Sequence, residues 1–260
     1  MKMDEVFTDT FTALRGQVAA MKAEGRRLWQ LRLGTSSAFC QSVVGCGYLT
    51  AAQMQRAAHR YRLGTSRDGG VIFWQIDELD QLRDGKIMYY RADCHRDHDR
   101  QPTWAVYLLR RHGRLPKDWN AAHCLFGLHL IGQTADPAGW GTGRTVGTAA
   151  DAGGGAVAVV ESEKTAVIMS ELQPGYTWLA TGGKTELNVA KLKPLAGRRV
   201  ILFPDTDTDG QTYRDWYDIA VAAGDVYGHP FTVSSLLERT ATKSQRERKI
   251  DIVDLLCDNE

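Results

Sequence analysis

The sequence has no C-x-x-C pair, and its five cysteines, Cys40, Cys46, Cys94, Cys124 and Cys257, leave an odd count. That excludes a zinc ribbon and argues against a disulfide framework, so the thiols are expected to be reduced. No stretch approaches the roughly 20 apolar residues of a membrane-spanning helix. The opening "MKMDEVFTDTF" carries acids and does not read as a signal peptide. A cytoplasmic protein with no membrane partner is the expectation. Net charge is nearly absent as well, at +1, which leaves no global field to attract a polyanion. There is no G-x-x-x-x-G-K-[ST] loop of the kind found in helicases.

What is present is ordinary in bulk and uneven in detail. With 260 residues, 43% hydrophobic and 24% charged, the chain can bury the core of one large or two modest globular domains. Between Arg83 and Lys117 nine Lys/Arg stand against four Asp, and Tyr89, Tyr90, Trp104 and Tyr107 are interleaved with them. Cations among rings suit a nucleic-acid groove, the charges for phosphate and the rings for bases. An exposed basic sheet face with its rings turned into the core fits equally well. The nearby "CHRDH" at 94–98 is read as a solvated loop, because no second ligand pair accompanies it.

Along the chain, the residues before Arg32 are helix-compatible, with Leu14, Val18, Met21 and Leu28 at helical spacings. Thr50 and Gln53 form a capping box for a helix over 51–62 that Gly64 ends. "GGVIFWQI" and "KIMYYRA" predict two strands joined across "DELDQLRDG". After the short apolar element "CLFGLHLI", residues 133–155 are rich in Gly, Thr and Ala without period, a linker or insertion. The predicted organisation is thus an N-terminal α+β region over 1–132, that linker, and a second domain over 156–260. In the second domain, strand and helix patterns alternate: "AVAVV", "SEKTAVIMSEL", "YTWLA", a helical piece around "ELNVAKLKPL", "RRVILF", then "QTYRDWYDIAVAAG". That order predicts parallel strands with right-handed crossovers.

The loop after the third of these strands reads "FPDTDTDG". D-x-D-x-D-G opens an EF-hand, but the twelfth position is Trp216 instead of a bidentate glutamate, and the preceding residues form a strand, not a helix. Carboxylates at the carboxyl edge of a parallel sheet are a ligand position of another kind. Alternation would project Asp205 and Asp207 to one side. Together with Glu161, which follows the first strand, they suit Mg²⁺, which takes few carboxylates and keeps waters. A polar loop capping the next helix explains Asp209 well, but not all three aspartates together with Glu161.

At these residues the sequence resembles the Toprim domain of bacterial-type DNA primases, topoisomerases and certain nucleases, through "VVESEKTA", "LATGGK" and "FPDTDTDG". The resemblance implies a Rossmann-like parallel sheet flanked by helices. It makes Glu161 a general acid/base or metal ligand, Asp205 and Asp207 ligands of Mg²⁺ or Mn²⁺, and Asp209 an auxiliary. "DIVDLL" resembles the acidic segment closing this domain in primases, which adds Asp251 and Asp254 as weaker candidates. Upstream, the order of "GGVIFWQI", "GKIMYYRA" and "CLFGLHLI" is similar to the primase region before Toprim. By that resemblance Arg62, Lys86 and Arg91, with Lys164 and Lys184, face template or nucleotide phosphate. The implied activity is a nucleotidyltransferase that makes short primers on single-stranded DNA from nucleoside triphosphates. The implied setting is a plasmid or other mobile element, with a replicative helicase or initiator as partner. A metal-dependent nuclease and a non-catalytic nucleic-acid-binding module are the alternatives. Two departures stand out: Thr165 occupies a position where primases commonly carry aspartate, and no zinc module precedes the core.

Overall fold

The computed structural model describes residues 37–116, 118–131 and 156–257. The helix-compatible stretch before Arg32 and the glycine-rich segment 133–155 lie outside the described residues. The chain divides into two compact units between Cys124 and Leu125.

The first unit opens on α1 (Ala38–Gly45) and α2 (Ala51–Arg60). The Thr50 hydroxyl accepts from the Gln53 N–H and the Gln53 side chain accepts from the Thr50 N–H, which is the predicted capping box. The helix stops earlier than the sequence suggests. Its left-handed residue is Arg62 (φ 54°), not Gly64, and the Arg62 guanidinium lies 2.5 Å from the Asp80 carboxylate. Gly64 instead begins β1 (Gly64–Thr65), where a Cβ would come within 2.7 Å of Trp74 Nε1.

Strands β2 (Val71–Ile76), β3 (Leu82–Met88) and β4 (Thr103–Trp104) complete an antiparallel sheet in the order β1-β2-β3-β4. The connection between β2 and β3 is tighter than "DELDQLRDG" implies. The Asp77 carboxylate accepts from the Leu79 and Gln81 N–H groups, so pairing resumes at Leu82. Gly85 then sits in the strand opposite Trp74, whose indole would lie 2.5 Å from any added Cβ. On this face Ile72, Trp74 and Ile76 pack against Ala105, Val106 and Leu109 of α3 (Ala105–Arg111). On the other, Phe73 meets Phe39 of α1 with ring centroids 5.5 Å apart. Trp74 is fully buried. An aromatic of this size removes roughly 150–250 Å² from water, on the order of 4–6 kcal/mol at about 25 cal/mol per Å².

Most rings of the basic stretch are committed within this unit. Tyr90 packs on Phe39, and Trp104 stacks on His123 at 4.0 Å. Tyr89 donates to Asp68 at 3.0 Å and lies under the Arg100 guanidinium, 3.5 Å from the ring centroid. Asp68 also accepts from the Ser66 hydroxyl and pairs with Arg100. Burial pushes the Asp68 carboxyl up, but these partners outweigh it and hold the group below the usual carboxylate range. A carboxyl depressed in the folded state stabilises fully above its unfolded value, and that stabilisation is lost as pH falls through the folded one. Asp68→Asn is therefore expected to cost about 1 kcal/mol at neutral pH, given the site's solvent exposure. The difference in urea midpoint between variant and wild type should shrink when measured in acid, below the ordinary carboxylate range.

The second unit runs β5 (Ala156–Val160), α4 (Glu163–Leu172), β6 (Tyr176–Ala180), α5 (Val189–Leu192), β7 (Val200–Phe203), α6 (Gln211–Tyr227) and β8 (Thr232–Val233). Three short helices follow: α7 (Leu236–Thr240), α8 (Lys243–Arg248) and α9 (Ile252–Cys257). All strand pairs are parallel, in the order β6-β5-β7-β8. The expected architecture, a parallel sheet flanked by helices and preceded by an α+β unit, is what the chain adopts. Strand β5 is buried along its whole length, as its unbroken apolar run predicts. Phe126 exchanges two backbone hydrogen bonds with Ala180, so "LFGLHLI" packs with this sheet. Among the described residues no helix is long and apolar enough to cross a membrane.

Candidate active site

From β5 the chain crosses to β6 on one side, and from β6 it returns to β7 on the other. The crossovers diverge between β5 and β7, and the crevice beyond the carboxyl ends at such a switch point is where open α/β sheets bind ligands. Val160 pairs in register with Phe203, so Glu161 and Asp205 emerge on either side of that point.

Backbone contacts hold both positions. The Glu161 carbonyl accepts from the Gly182 N–H at 3.0 Å and the Thr181 hydroxyl at 3.2 Å. Gly182 (φ 91°) permits this turn, and a Cβ there would stand 3.2 Å from Oε1 of the buried Glu163. Beyond β7, Thr206 donates through both its N–H (3.0 Å) and its hydroxyl (3.2 Å) to the Ile250 carbonyl. That pair of bonds draws the start of α9 against the loop after β7. There the Asp251 carboxylate accepts from the Asp254 N–H, and Asp254 accepts from the Asp251 N–H, as reciprocal caps.

Asp251 and Asp254, the weaker candidates by sequence, are thereby brought to Asp205. Burial raises the Asp205 carboxyl well above its ordinary range, and the charges of Asp251, Glu161 and Asp254 push the same way, opposed by Lys164. Among the described residues no hydrogen-bond donor reaches the Asp205 carboxylate. Three carboxylates and one lysine thus act on Asp205 through their charge.

Asp207 has other company. The strand ends at Phe203, so the alternation that would carry Asp205 and Asp207 to one side stops before either residue. Asp207 Oδ2 accepts from the Thr212 N–H at 2.8 Å and hydroxyl at 2.5 Å, and Lys184 Nζ stands 3.5 Å away. Burial opposes ionisation here, but the Thr212 bonds and Lys184 prevail and lower the carboxyl to about 2. Asp207 is thus a permanent anion seated at the amino end of α6. Its Oδ1 is buried and has no hydrogen-bond partner. Asp209 is exposed and accepts weakly from the Gln211 N–H at 3.4 Å, the capping role open to it by sequence.

Among the described residues no three His, Cys, Asp or Glu side chains close around a point tightly enough to hold a metal by themselves. A hydrated divalent ion needs less, since Mg²⁺ is commonly held by one or two carboxylates with waters and substrate phosphate completing the shell. Donor-free Asp205 among like charges and the orphaned Asp207 Oδ1 fit such an ion.

Thr165, where primases commonly carry aspartate, is fully buried in the first turn of α4. Its hydroxyl donates to Asp251 Oδ2 and lies 2.9 Å from the Ser162 hydroxyl. Sequence reading missed Ser162, Thr206 and Thr212 as supports of the cluster. The S-x-x-T and D-x-x-D spacings of helix caps were the available signal.

A family model described as a domain of unknown function, DUF6371, matches residues 38–138 and 149–206. The chain belongs to this family. The DUF6371 match includes Glu161, Thr165 and Asp205, while Asp207, Asp209, Asp251 and Asp254 follow its last residue. Comparison with curated proteins gives no match. Among solved structures, the primase fragment of the bacteriophage T7 primase-helicase protein is similar at 16% identity and a TM-score of 0.41, over 69% of this chain. The chain spans 60% of that fragment.

The phosphate-facing candidates in the first part of the DUF6371 match have mixed fates. Arg62 is buried and paired with Asp80. Lys86 is half-buried in β3, in register with Phe73 and Trp104. Arg91 is exposed, 3.6 Å from Asp93. Of the two lysines in the second unit, Lys164 acts on Asp205 and Lys184 on Asp207.

Proposed function

We propose that this chain is a Toprim-type, primase-like nucleotidyltransferase core that joins nucleotides into a short primer on single-stranded DNA. One observation carries the reading: the charges of Glu161, Asp251 and Asp254 act on Asp205 at the switch point of a parallel sheet, where burial also disfavours its ionised form. The Toprim-like motifs and the primase-like order of the upstream strands support primer synthesis over other phosphoryl chemistry. Mg²⁺ or Mn²⁺ would be held by Asp205 with Glu161, Asp207 and the neighbouring carboxylates. When bound it would supply Lewis-acid stabilisation of the transferring phosphate.

The chain's own residues then divide the work. Glu161 takes the proton of the attacking 3′-hydroxyl, whose oxygen bonds to the α-phosphorus as pyrophosphate leaves with the bonding pair. Lys164 and Lys184 stand beside Asp205 and Asp207, where a triphosphate would add negative charge. Replication of a plasmid or other mobile element in the cytoplasm, alongside a helicase or initiator, is the proposed setting.

Primer synthesis on single-stranded DNA with Mg²⁺ or Mn²⁺ tests the reading, with Glu161→Ala and Asp205→Ala beside wild type. Labelled products that lengthen with nucleotide and vanish in both variants are expected. Shortening of the template without nucleotides would replace the reading with a nuclease. Synthesis indifferent to both substitutions would remove the site assignment.

A further inference from the structure

The basic, ring-containing stretch over 83–117 is largely used up inside the first unit. Arg83 pairs with Asp77 at 2.5 Å, Arg100 with Asp68, Tyr90 enters the core and Trp104 stacks on His123. Arg91 and Arg96 are exposed elsewhere in the stretch, and three further exposed side chains share one helix. In α3, Ala105, Val106 and Leu109 are buried, while Tyr107 is 60% exposed and Arg110 and Arg111 are exposed.

Tyr107, Arg110 and Arg111 stand at i, i+3 and i+4, so their side chains share one face; the exposed Arg114 lies beyond the helix, after Gly113 (φ 64°). Between Arg100 and Lys117 the chain has no Asp or Glu. Among the described residues no acid pairs with Arg110 or Arg111, and the Arg110 guanidinium makes one long contact to the Trp119 carbonyl at 3.4 Å. The helix itself is fixed. The buried Asp84 carboxylate accepts from the Val106 N–H at 3.0 Å, and three side chains lock its inner face to β2 and β3.

We infer that this face of α3 is a docking surface for single-stranded nucleic acid, with Arg110 and Arg111 on successive phosphates and the Tyr107 ring as a stacking platform for one unpaired base. Two exposed cations that pair with no described acid complement a polyphosphate. An exposed ring one turn before them can stack on a base outside a duplex. The inference deepens the primase-like reading by placing the template on this surface. It needs neither metal nor nucleotide.

The test measures fluorescence anisotropy of a labelled oligothymidylate with the full chain in EDTA, across a series of KCl concentrations. Arg110→Ala/Arg111→Ala is expected to weaken binding at least tenfold. It should also flatten the plot of log affinity against log salt by about 1.4, from roughly 0.7 per phosphate contact on a single strand. Tyr107→Ala is expected to weaken binding roughly fivefold or more with the slope unchanged, as loss of one stacked base predicts. Lysines at 110 and 111 should restore the slope, which excludes misfolding as the cause of its loss. Affinity and slope unchanged in Arg110→Ala/Arg111→Ala overturn the proposal, as does equally tight binding of a blunt duplex. Intact α3-dependent binding in a chain that makes no primer would leave this surface standing and remove only the primase reading. Primer synthesis with α3 silent would do the reverse.

Discussion

Under the proposed metal-dependent reading, replacing Asp205 by asparagine is expected to raise the thermal midpoint of the metal-free protein and to abolish stabilisation by Mg²⁺. The usual expectation for a change at a buried polar position is destabilisation. Here burial and the charges of Asp251, Glu161 and Asp254 penalise the ionised carboxylate, with Lys164 as the opposing charge and no hydrogen-bond donor to lose. An amide of the same shape removes the repulsion and leaves no partner stranded. The wild-type protein pays for the charge in the absence of an ion, and an ion that binds only the folded state returns stability by mass action. Thermal melts with and without Mg²⁺ check both halves, with Asp218→Asn on the exposed side of α6 as a control. Primer synthesis is expected to fall by at least about 100-fold, from the several kcal/mol that a metal supplies to phosphoryl transfer. An asparagine variant that melts below wild type in EDTA would show that the charge is compensated after all.

Thr165→Val has the second large effect, in the opposite direction. Valine keeps the shape of threonine but removes the hydroxyl that donates to Asp251 Oδ2. Asp251 is buried, and its other oxygen is already taken by the Asp254 N–H. Losing a hydrogen bond to a charged group costs roughly 1.5–3 kcal/mol, which at this size lowers the thermal midpoint by about 3–12 °C. Thr165→Ser should recover most of it. Because the two residues act as a unit, Thr165→Val combined with Asp251→Asn should cost clearly less than the sum of the single changes. On the proposed reading Thr165 is a positioning residue: it holds the carboxylate of Asp251, just before α9. Calorimetry separates this role from plain stability. Weaker Mg²⁺ binding in the valine variant, restored in the serine variant at a temperature where all three are folded, is expected. Unaltered metal affinity in a destabilised valine variant would reduce Thr165 to a packing residue.

The parallel sheet was legible in the sequence because β5 is an unbroken apolar run and strand-like and helix-like stretches alternate after it. The α2 capping box was legible because its partners are three residues apart and need no tertiary context. Long-range partnerships were not. Asp251 meets Thr165 across 86 positions, through a contact that depends on Thr206 binding the Ile250 carbonyl. Alternation misled at Asp205 and Asp207 because it describes a strand, and the strand ends at Phe203. The glycines at 64 and 85 read as a helix stop and part of a hairpin loop. Both are set by the Trp74 indole, which leaves no room for a Cβ at either position. The rings of the basic stretch divided between core and surface according to which face of which element each fell on. Spacing alone did not separate Tyr90 from Tyr107.

The Thr206 clasp on Ile250 also bears on when the site comes into being. Domains fold from the amino end as synthesis proceeds, and β5 through β7 can pair before α9 has been made. A nascent chain at that stage presents Glu161 and Asp205 without the two carboxylates that complete their cluster. The charge cluster therefore depends on a contact between distant parts of the chain: Asp251 and Asp254 reach Asp205 because Thr206 holds the Ile250 carbonyl.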